Sequence, residues 1–315
     1  MIIGDLDQRE FTERLSGVGL CIQFGPFNLR IHSDLPAFSR VAYPLYSPYP
    51  QPQPNQLIDF HIQITSPPSM RRWVRRQACF ALDGHFPFAP YAVDHAFPAL
   101  EWGINWCIAT RAHHLLMLHA AAVERNGQAI LFPASPGDGK STLCTALIHS
   151  GWRLLSDEFG LVRPEDGRLL PLPRVIPLKN QSIEVIRQFR PNAVMGPSFL
   201  GTRKGTVAHV QPPVESIRRS QECAQARWLI FPRWIADAPL SLTPIVKSQA
   251  FLLVATNAFN YDVLDQTSFR LVTQMVHDCE CFTLIYSNLD EAIAALDQLN
   301  PTRPHSSKPS SIDSE

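Results

Sequence analysis

The 315 residues allow one large domain or two, and a 45% apolar composition is enough to bury a core. Lysine plus arginine number 28 and aspartate plus glutamate 28, so total charge gives no reason to expect nucleic acid or an anionic membrane as partner. No run approaches eighteen uninterrupted apolar residues, and the opening Met-Ile-Ile-Gly-Asp-Leu-Asp has no basic region leading into an apolar core, so a cytoplasmic protein is expected.

In chain order, Gly19 to Phe24, Phe27 to Ile31 and Ile58 to Ile64 read as short strands of a small β-rich unit, residues 1–96. Between them Tyr43 to Pro54 is rich in proline, which cannot donate to a sheet, and reads as an exposed loop. Its three tyrosines suit either a connector or a recognition surface. The basic run Arg71 to Arg76 suits either an acidic partner or the wet side of a strand. From Phe97 to His119 the apolar spacing fits a long buried helix, ending the first unit and leading into a second, residues 97–300.

That second unit reads as strand (Ala121 to Val123), turn at Asn126-Gly127, strand (Gln128 to Phe132), glycine loop, helix (Thr142 to Ser150), Gly151 as terminator and strand (Trp152 to Leu155). A β-run (Phe159 to Arg163), a turn at Glu165 to Gly167 and the proline-marked Leu170 to Leu178 follow. Helical patterns recur at Ile183 to Phe189, Ala250 to Ala258, Asp262 to Val276 and Leu289 to Leu299, with a strand at Cys281 to Ser287. Residues 301–315, rich in Ser and Pro, read as a disordered tail. The seven cysteines contain no C-x-x-C pair, which suggests reduced, mostly buried thiols; Cys279 and Cys281 flank Glu280 in a spacing also open to a soft metal.

The segment Ala134-Ser135-Pro136-Gly137-Asp138-Gly139-Lys140-Ser141-Thr142 carries the chemistry. It fits A/G-x-x-x-x-G-K-S/T between an apolar run and a helical stretch. Gly137 and Gly139 let successive N–H groups point at one anion, and the helix N-terminus adds its dipole. Lys140 would reach the outer phosphates of ATP and Ser141 would hold Mg2+. The competing reading is a glycine-rich turn with an incidental lysine. Asp157 and Glu158 close the next strand and, in a parallel sheet, emerge at the same edge as the loop. One carboxylate is then available to magnesium and one to an attacking hydroxyl, against the alternative of a turn cap and a solvated glutamate. His119, at the end of the long helix, suits a γ-phosphate partner or a structural role equally. Lys179 and Lys204 are candidates to neutralise transition-state charge, or solvated surface lysines. Gly201 to Gly205 has the polar, glycine-flanked composition of a mobile closing loop.

Leu118-His-Ala-Ala-Ala-Val-Glu-Arg-Asn-Gly127, the glycine loop and Gly151-Trp-Arg-Leu-Leu-Ser-Asp-Glu158 resemble, in order and spacing, the catalytic domain of the HPr kinase/phosphorylase family. Pro177 to Asn180, Lys204 to His209 and Asn257 to Tyr261 resemble the HPr-kinase-related kinase A group still more closely. The resemblance spans roughly residues 100 to 300. It implies an α/β fold with a P-loop core of the HPr kinase/phosphoenolpyruvate carboxykinase type beside the smaller β-rich unit. It also implies an ATP- and Mg2+-dependent kinase acting on a serine or threonine hydroxyl of a peptide or small protein. The residue roles implied are Lys140 and Ser141 as phosphate and magnesium groups, Asp157 as acid/base, Glu158 as second carboxylate and His119 as the active-site histidine. Two departures stand out. Glu158 replaces the family's aspartate, and the E-I-R-G-x-G signature is absent, with Pro177 to Asn180 in roughly its place. A catalytically silent ATP-binding module and a small-molecule or carboxykinase-like enzyme are the alternatives.

Overall fold

A computed structural model describes residues 1–67, 76–135 and 137–299. Arg71 to Arg75 of the basic run, Pro136 of the glycine loop and residues 300–315 therefore lie outside the described residues.

Two helices, α1 (Gln8–Ser16) and α2 (Pro36–Tyr46), and five strands build the first sheet: β1 (Leu20–Phe24), β2 (Phe27–His32), β3 (Phe60–Thr65), β4 (Gln77–Leu82) and β5 (Tyr91–Ala92). The strands lie in the order β1-β2-β3-β4-β5, with β2 and β3 parallel and the other pairs antiparallel. The proline-rich segment is a partly exposed loop only over residues 51–54, and its first part is not. Helix α2 runs through Pro44, and Tyr46 and Tyr49 are each 1% exposed. The apolar bodies of these tyrosines outweigh the local proline signal, because each hydroxyl also finds a partner. Tyr43 donates to the Leu6 carbonyl at 2.8 Å, Tyr49 to the Pro173 carbonyl at 2.8 Å, and Tyr46 to Glu101.

Helix α3 (Ala96–Arg111) packs on this sheet and shares its core. It stops eight residues short of His119, which lies instead in β6 (Leu116–Arg125). The reason is burial on both faces. Leu118, Ala120 and Ala122 face one apolar cluster and Ala121 and Val123 the other, so β6 shows no alternation to separate it from a buried helix.

Strand β6 belongs to an eight-stranded sheet with β7 (Gln128–Pro133), β8 (Arg153–Ser156), β9 (Phe159–Val162), β10 (Leu169–Leu170), β14 (Gln225–Trp234), β15 (Ser241–Pro244) and β16 (Glu280–Tyr286). The order is β10-β9-β6-β7-β14-β16-β15, with β8 also on β6. A third sheet, β11-β13-β12, joins β11 (Ile176–Lys179), β12 (Phe199–Thr202) and β13 (Gly205–Val210). Helices α4 (Lys140–Ile148) and α10 (Leu289–Leu299) cover one face of the large sheet, where α5 (Gln181–Phe189) packs on α4; α7 (Lys247–Thr256) and α9 (Gln266–Asp278) cover the other. The short α6 (Val214–Arg218) and α8 (Tyr261–Leu264) complete the fold, a mixed α/β architecture. No described helix is long and apolar enough to cross a membrane. The seven cysteines are free thiols, mostly buried.

Candidate functional site

Strand β7 ends at Pro133, and residues 134–139 turn the chain into α4. The turn needs glycine at two points. Gly137 and Gly139 have φ of 103° and 87°, a region unfavourable to residues with a Cβ, and a Cβ at Gly139 would lie 2.5 Å from the Tyr286 hydroxyl. The loop is braced from outside. Trp234 N–H donates to the Asp138 carbonyl at 3.0 Å and the Tyr286 hydroxyl to the Gly139 carbonyl at 3.1 Å, while Ser135 N–H donates to Asp138 Oδ2 at 2.9 Å. Two loop carbonyls are thus tied toward β14 and β16. No side chain caps α4, so its first-turn N–H groups remain available to an anion.

The first turn of α4 faces the carboxylates. Strands β8 and β9 both run antiparallel to β6, with Ser156 opposite Ala122 and Phe159 opposite His119, so they lie along one line broken at Asp157-Glu158. Because β6 is itself antiparallel to β7, β8 runs the same way as β7, and Asp157 and Glu158 emerge beside the glycine loop. The sheet is mixed rather than parallel, but the expected shared edge is kept.

Buried Lys140 donates through Nζ to the Asp157 carbonyl and stands 3.7 Å from Asp157 Oδ1. The Ser141 hydroxyl donates to Asp157 Oδ2 at 2.9 Å. Asp157 Oδ1 is buried with no hydrogen-bond partner. Burial raises the Asp157 carboxyl above its ordinary range, with help from Glu158, and outweighs the opposing pull of Lys140, the Ser141 bond and Lys179. Glu158 moves the other way. Burial would raise it too, but Lys140, Lys179, Lys204 and His119 together hold it below the ordinary carboxylate value. Two adjacent carboxyls are driven apart, the pattern expected where one takes up a proton and the other stays ionised.

His119 Nε2 lies 3.9 Å from Glu158 Oε2, and burial followed by the charge of Lys140 lowers its basicity despite Glu158. The histidine is positioned by a segment distant in sequence. Beyond the end of β7, Asn257 to Asn260 takes over that strand's place along β6: His119 N–H donates to the Asn257 carbonyl at 2.6 Å and Phe259 N–H to the Met117 carbonyl at 2.8 Å. Buried Asn260 accepts from Met117 N–H at 3.0 Å and donates to the Leu115 carbonyl at 2.8 Å. The half-exposed Phe259 ring thereby packs 5.5 Å from His119 and 5.2 Å from Phe159, between centroids.

Lys179 ends β11 and Lys204 sits in the β12–β13 turn, and both act on Glu158 by charge. That turn lies over α3 and the strand before it. Lys204 Nζ lies 5.7 Å from the Trp102 ring centroid and the Arg203 guanidinium 5.5 Å from that of Tyr91, while His95 bonds the Leu200 carbonyl at 2.8 Å. Behind the carboxylates a cavity of about 20 Å³, room for a single water, reaches Arg174 and His209.

The structure brings Gly137, Gly139, Lys140, Ser141, Thr142, Asp157, Glu158, His119, Lys179 and Lys204 to one edge, with Ala134 buried at the loop's root. These groups fit a phosphate chain and a divalent cation: a hydroxyl beside a carboxylate with an unpartnered oxygen, an uncapped helix N-terminus, and open space where a Cβ of Gly137 would stand. Trp102, Trp234, Phe259, Asn260 and Tyr286 were not anticipated as parts of the site. Asn257 to Tyr261 carried a signal through its family resemblance, whereas Trp234 and Tyr286 carried none.

Residues 104–175, from α3 to the segment before β11, match the family described as SynChlorMet cassette protein ScmC. No curated protein matches the chain. The solved HPr(Ser) kinase/phosphatase from Coxiella burnetii is distantly similar, at 13% identity over 58% of this chain and 96% of that one, with a TM-score of 0.24.

Proposed function

We propose that this protein is an ATP-dependent kinase that transfers the γ-phosphate to a serine or threonine hydroxyl of a peptide or small protein. The observation that carries the reading is the buried Asp157 carboxyl, raised above its ordinary range, joined to Ser141 through one oxygen and unpartnered at the other. A carboxyl with an unpartnered oxygen beside the loop supports transfer, because it can take the proton of an acceptor hydroxyl. Bound Mg·ATP supplies the phosphoryl group and the metal charge that neutralises it. Lys140 and the first-turn N–H groups of α4 hold the phosphates, and Ser141 and Glu158 face the metal. Asp157 Oδ1 takes the proton of the acceptor hydroxyl as its oxygen bonds to phosphorus and the bond to the ADP oxygen breaks. Lys179 and Lys204 stabilise charge on the transferred group, and neutral His119 orients the acceptor. Residues 1–96 form the acceptor-facing unit in this proposal.

The Ser141–Asp157 bond favours a second assignment within the same reaction, in which Asp157 joins Ser141 at the metal and the His119–Glu158 pair takes the proton. Incubation with labelled ATP and a lysate of the source cells tests the function. A labelled serine or threonine in a protein or peptide is expected. ATP binding without any labelled acceptor would return the silent binding module, and label only in a metabolite the small-molecule kinase.

A further inference from the structure

Beside the glycine loop opens a cleft of about 360 Å³, within the range of small-molecule sites, whose walls include Gly137, Gly139 and Thr142 from the loop and Trp234, Tyr286 and Leu289 opposite. The lining continues from the end of β11 into α5, with Lys179, Asn180, Gln181 and Val185. Lys179 belongs both to this wall and to the charges around Glu158, so the cleft and the carboxylate edge are continuous around the N-terminus of α4. A chain of phosphates lying from Asp157 across α4 to Thr142 therefore leads into it.

Trp234 is 46% exposed, unusual for so large an apolar side chain, yet it is held at both ends. Its backbone N–H bonds the Asp138 carbonyl at 3.0 Å and its indole N–H the Ser287 carbonyl at 3.2 Å, which spends its polar atoms on the protein and leaves the ring's apolar surface toward solvent. Val185 and Leu289 add apolar surface to the same cleft. No carboxylate lines it, so the acidic acceptor that would read a guanine N1–H and amino group is missing among the described residues. A side-chain amide is present instead: Gln181, at the first position of α5, is exposed, its amide makes no hydrogen bond among the described residues, and a glutamine amide matches the donor and acceptor of an adenine edge.

We propose that this cleft seats the adenine base of the nucleotide, with Trp234 as its stacking platform and Gln181 reading its edge. The proposal rests on the nucleotide reading above and adds to it the subsite that sets base identity.

The test is calorimetry of the full chain with Mg·ATP, Mg·GTP and Mg·tripolyphosphate, the last having phosphates but no base. The parent should bind ATP more tightly than either GTP or tripolyphosphate. Trp234→Ala keeps the backbone N–H that braces Asp138 and the Cβ that abuts Gly139, and removes only the ring. It should weaken ATP roughly ten- to a hundred-fold, the usual loss on removing an aromatic platform, and leave tripolyphosphate unchanged, with Trp234→Phe restoring most of the ATP affinity. Gln181→Ala should narrow the gap between ATP and GTP. A parallel fall of ATP and tripolyphosphate in Trp234→Ala would show the residue to be only a brace for the loop and overturn the proposal. So would a parent that binds ATP no better than tripolyphosphate, while GTP as tight as ATP would overturn the adenine assignment. A parent that binds tripolyphosphate but gains nothing from a base sinks this inference alone, whereas one that binds none of the three sinks the nucleotide reading with it.

Discussion

The Ser141 hydroxyl donates to Asp157 Oδ2 at 2.9 Å, joining the first turn of α4 to the break between β8 and β9 and leaving Oδ1 of the same carboxyl without a partner. This single contact makes the two proposed roles of Asp157 separable. Asp157→Asn keeps the shape and an acceptor oxygen for Ser141 but removes the proton acceptor. Phosphoryl transfer should fall about a hundred- to ten-thousand-fold while Mg·ATP affinity changes little. If instead the variant is rescued by raising magnesium, Asp157 is a metal neighbour and the His119–Glu158 pair is the base.

The pH profile follows from the same carboxyl. Burial raises Asp157, so the base form accumulates at a higher pH than for an ordinary aspartate, and transfer should rise with pH through that range. Steady-state rates of the parent and of Glu158→Gln should both show the rising limb. Its survival in Asp157→Asn would assign it to another group.

Lys140→Ala should abolish calorimetric binding of Mg·ATP. It also leaves Asp157 buried without its cation, which drives the carboxyl still higher above its unfolded value of 3.8. A group raised in the folded state stabilises it below the unfolded value and loses that contribution as pH rises through the folded value. The gap in Tm between variant and parent should therefore widen as pH rises from about 4, and a gap independent of pH would show that Asp157 is not the group left uncompensated.

Tyr286→Phe deletes only the hydroxyl that holds the Gly139 carbonyl at 3.1 Å. A lost neutral hydrogen bond is worth about 1 kcal/mol, so affinity for ATP and for tripolyphosphate should fall together by a few-fold, with a small change in Tm. Unchanged affinity for both would mean that Trp234 and the turn itself suffice to hold the loop.

His209 is fully buried, both ring nitrogens lack partners, and its ring packs edge-on against Phe97 at 5.1 Å. Burial, then the charge of Arg174, pushes it from 6.5 down to about 3. The unfolded chain binds this proton and the folded one does not between those values, so the histidine destabilises the fold progressively as pH falls through that window. His209→Phe should flatten the fall in Tm on acidification relative to the parent. Equal slopes would show that the ring is solvated or repartnered.

Much of the site was legible because its chemistry is local. The glycine loop, Lys140, Ser141 and the Asp157-Glu158 pair lie within one stretch whose turn and helix signals are explicit. The secondary structure around His119 was misread because β6 is buried on both faces, and the buried Tyr46 and Tyr49 because proline spacing hides an apolar face. Strand β14 was missed entirely. It contains Pro232, normally a sign against a central strand, but the ladder with β7 ends at Leu229, so the missing N–H faces no partner there. Trp234 and Tyr286 acquire their roles only from where β14 and β16 end relative to the loop, a relation that no residue spacing encodes.

The place of Asn257 to Asn260 along β6 bears on how the molecule is assembled during synthesis. The histidine-bearing strand and the glycine loop emerge from the ribosome more than a hundred residues before the segment that completes the β6 edge, and β16, which braces the loop, later still. Closing such distant pairings is slow, and until it happens the nascent chain displays an unpaired stretch of β6 with Leu116 to Leu118 at its centre, a template for pairing with another chain.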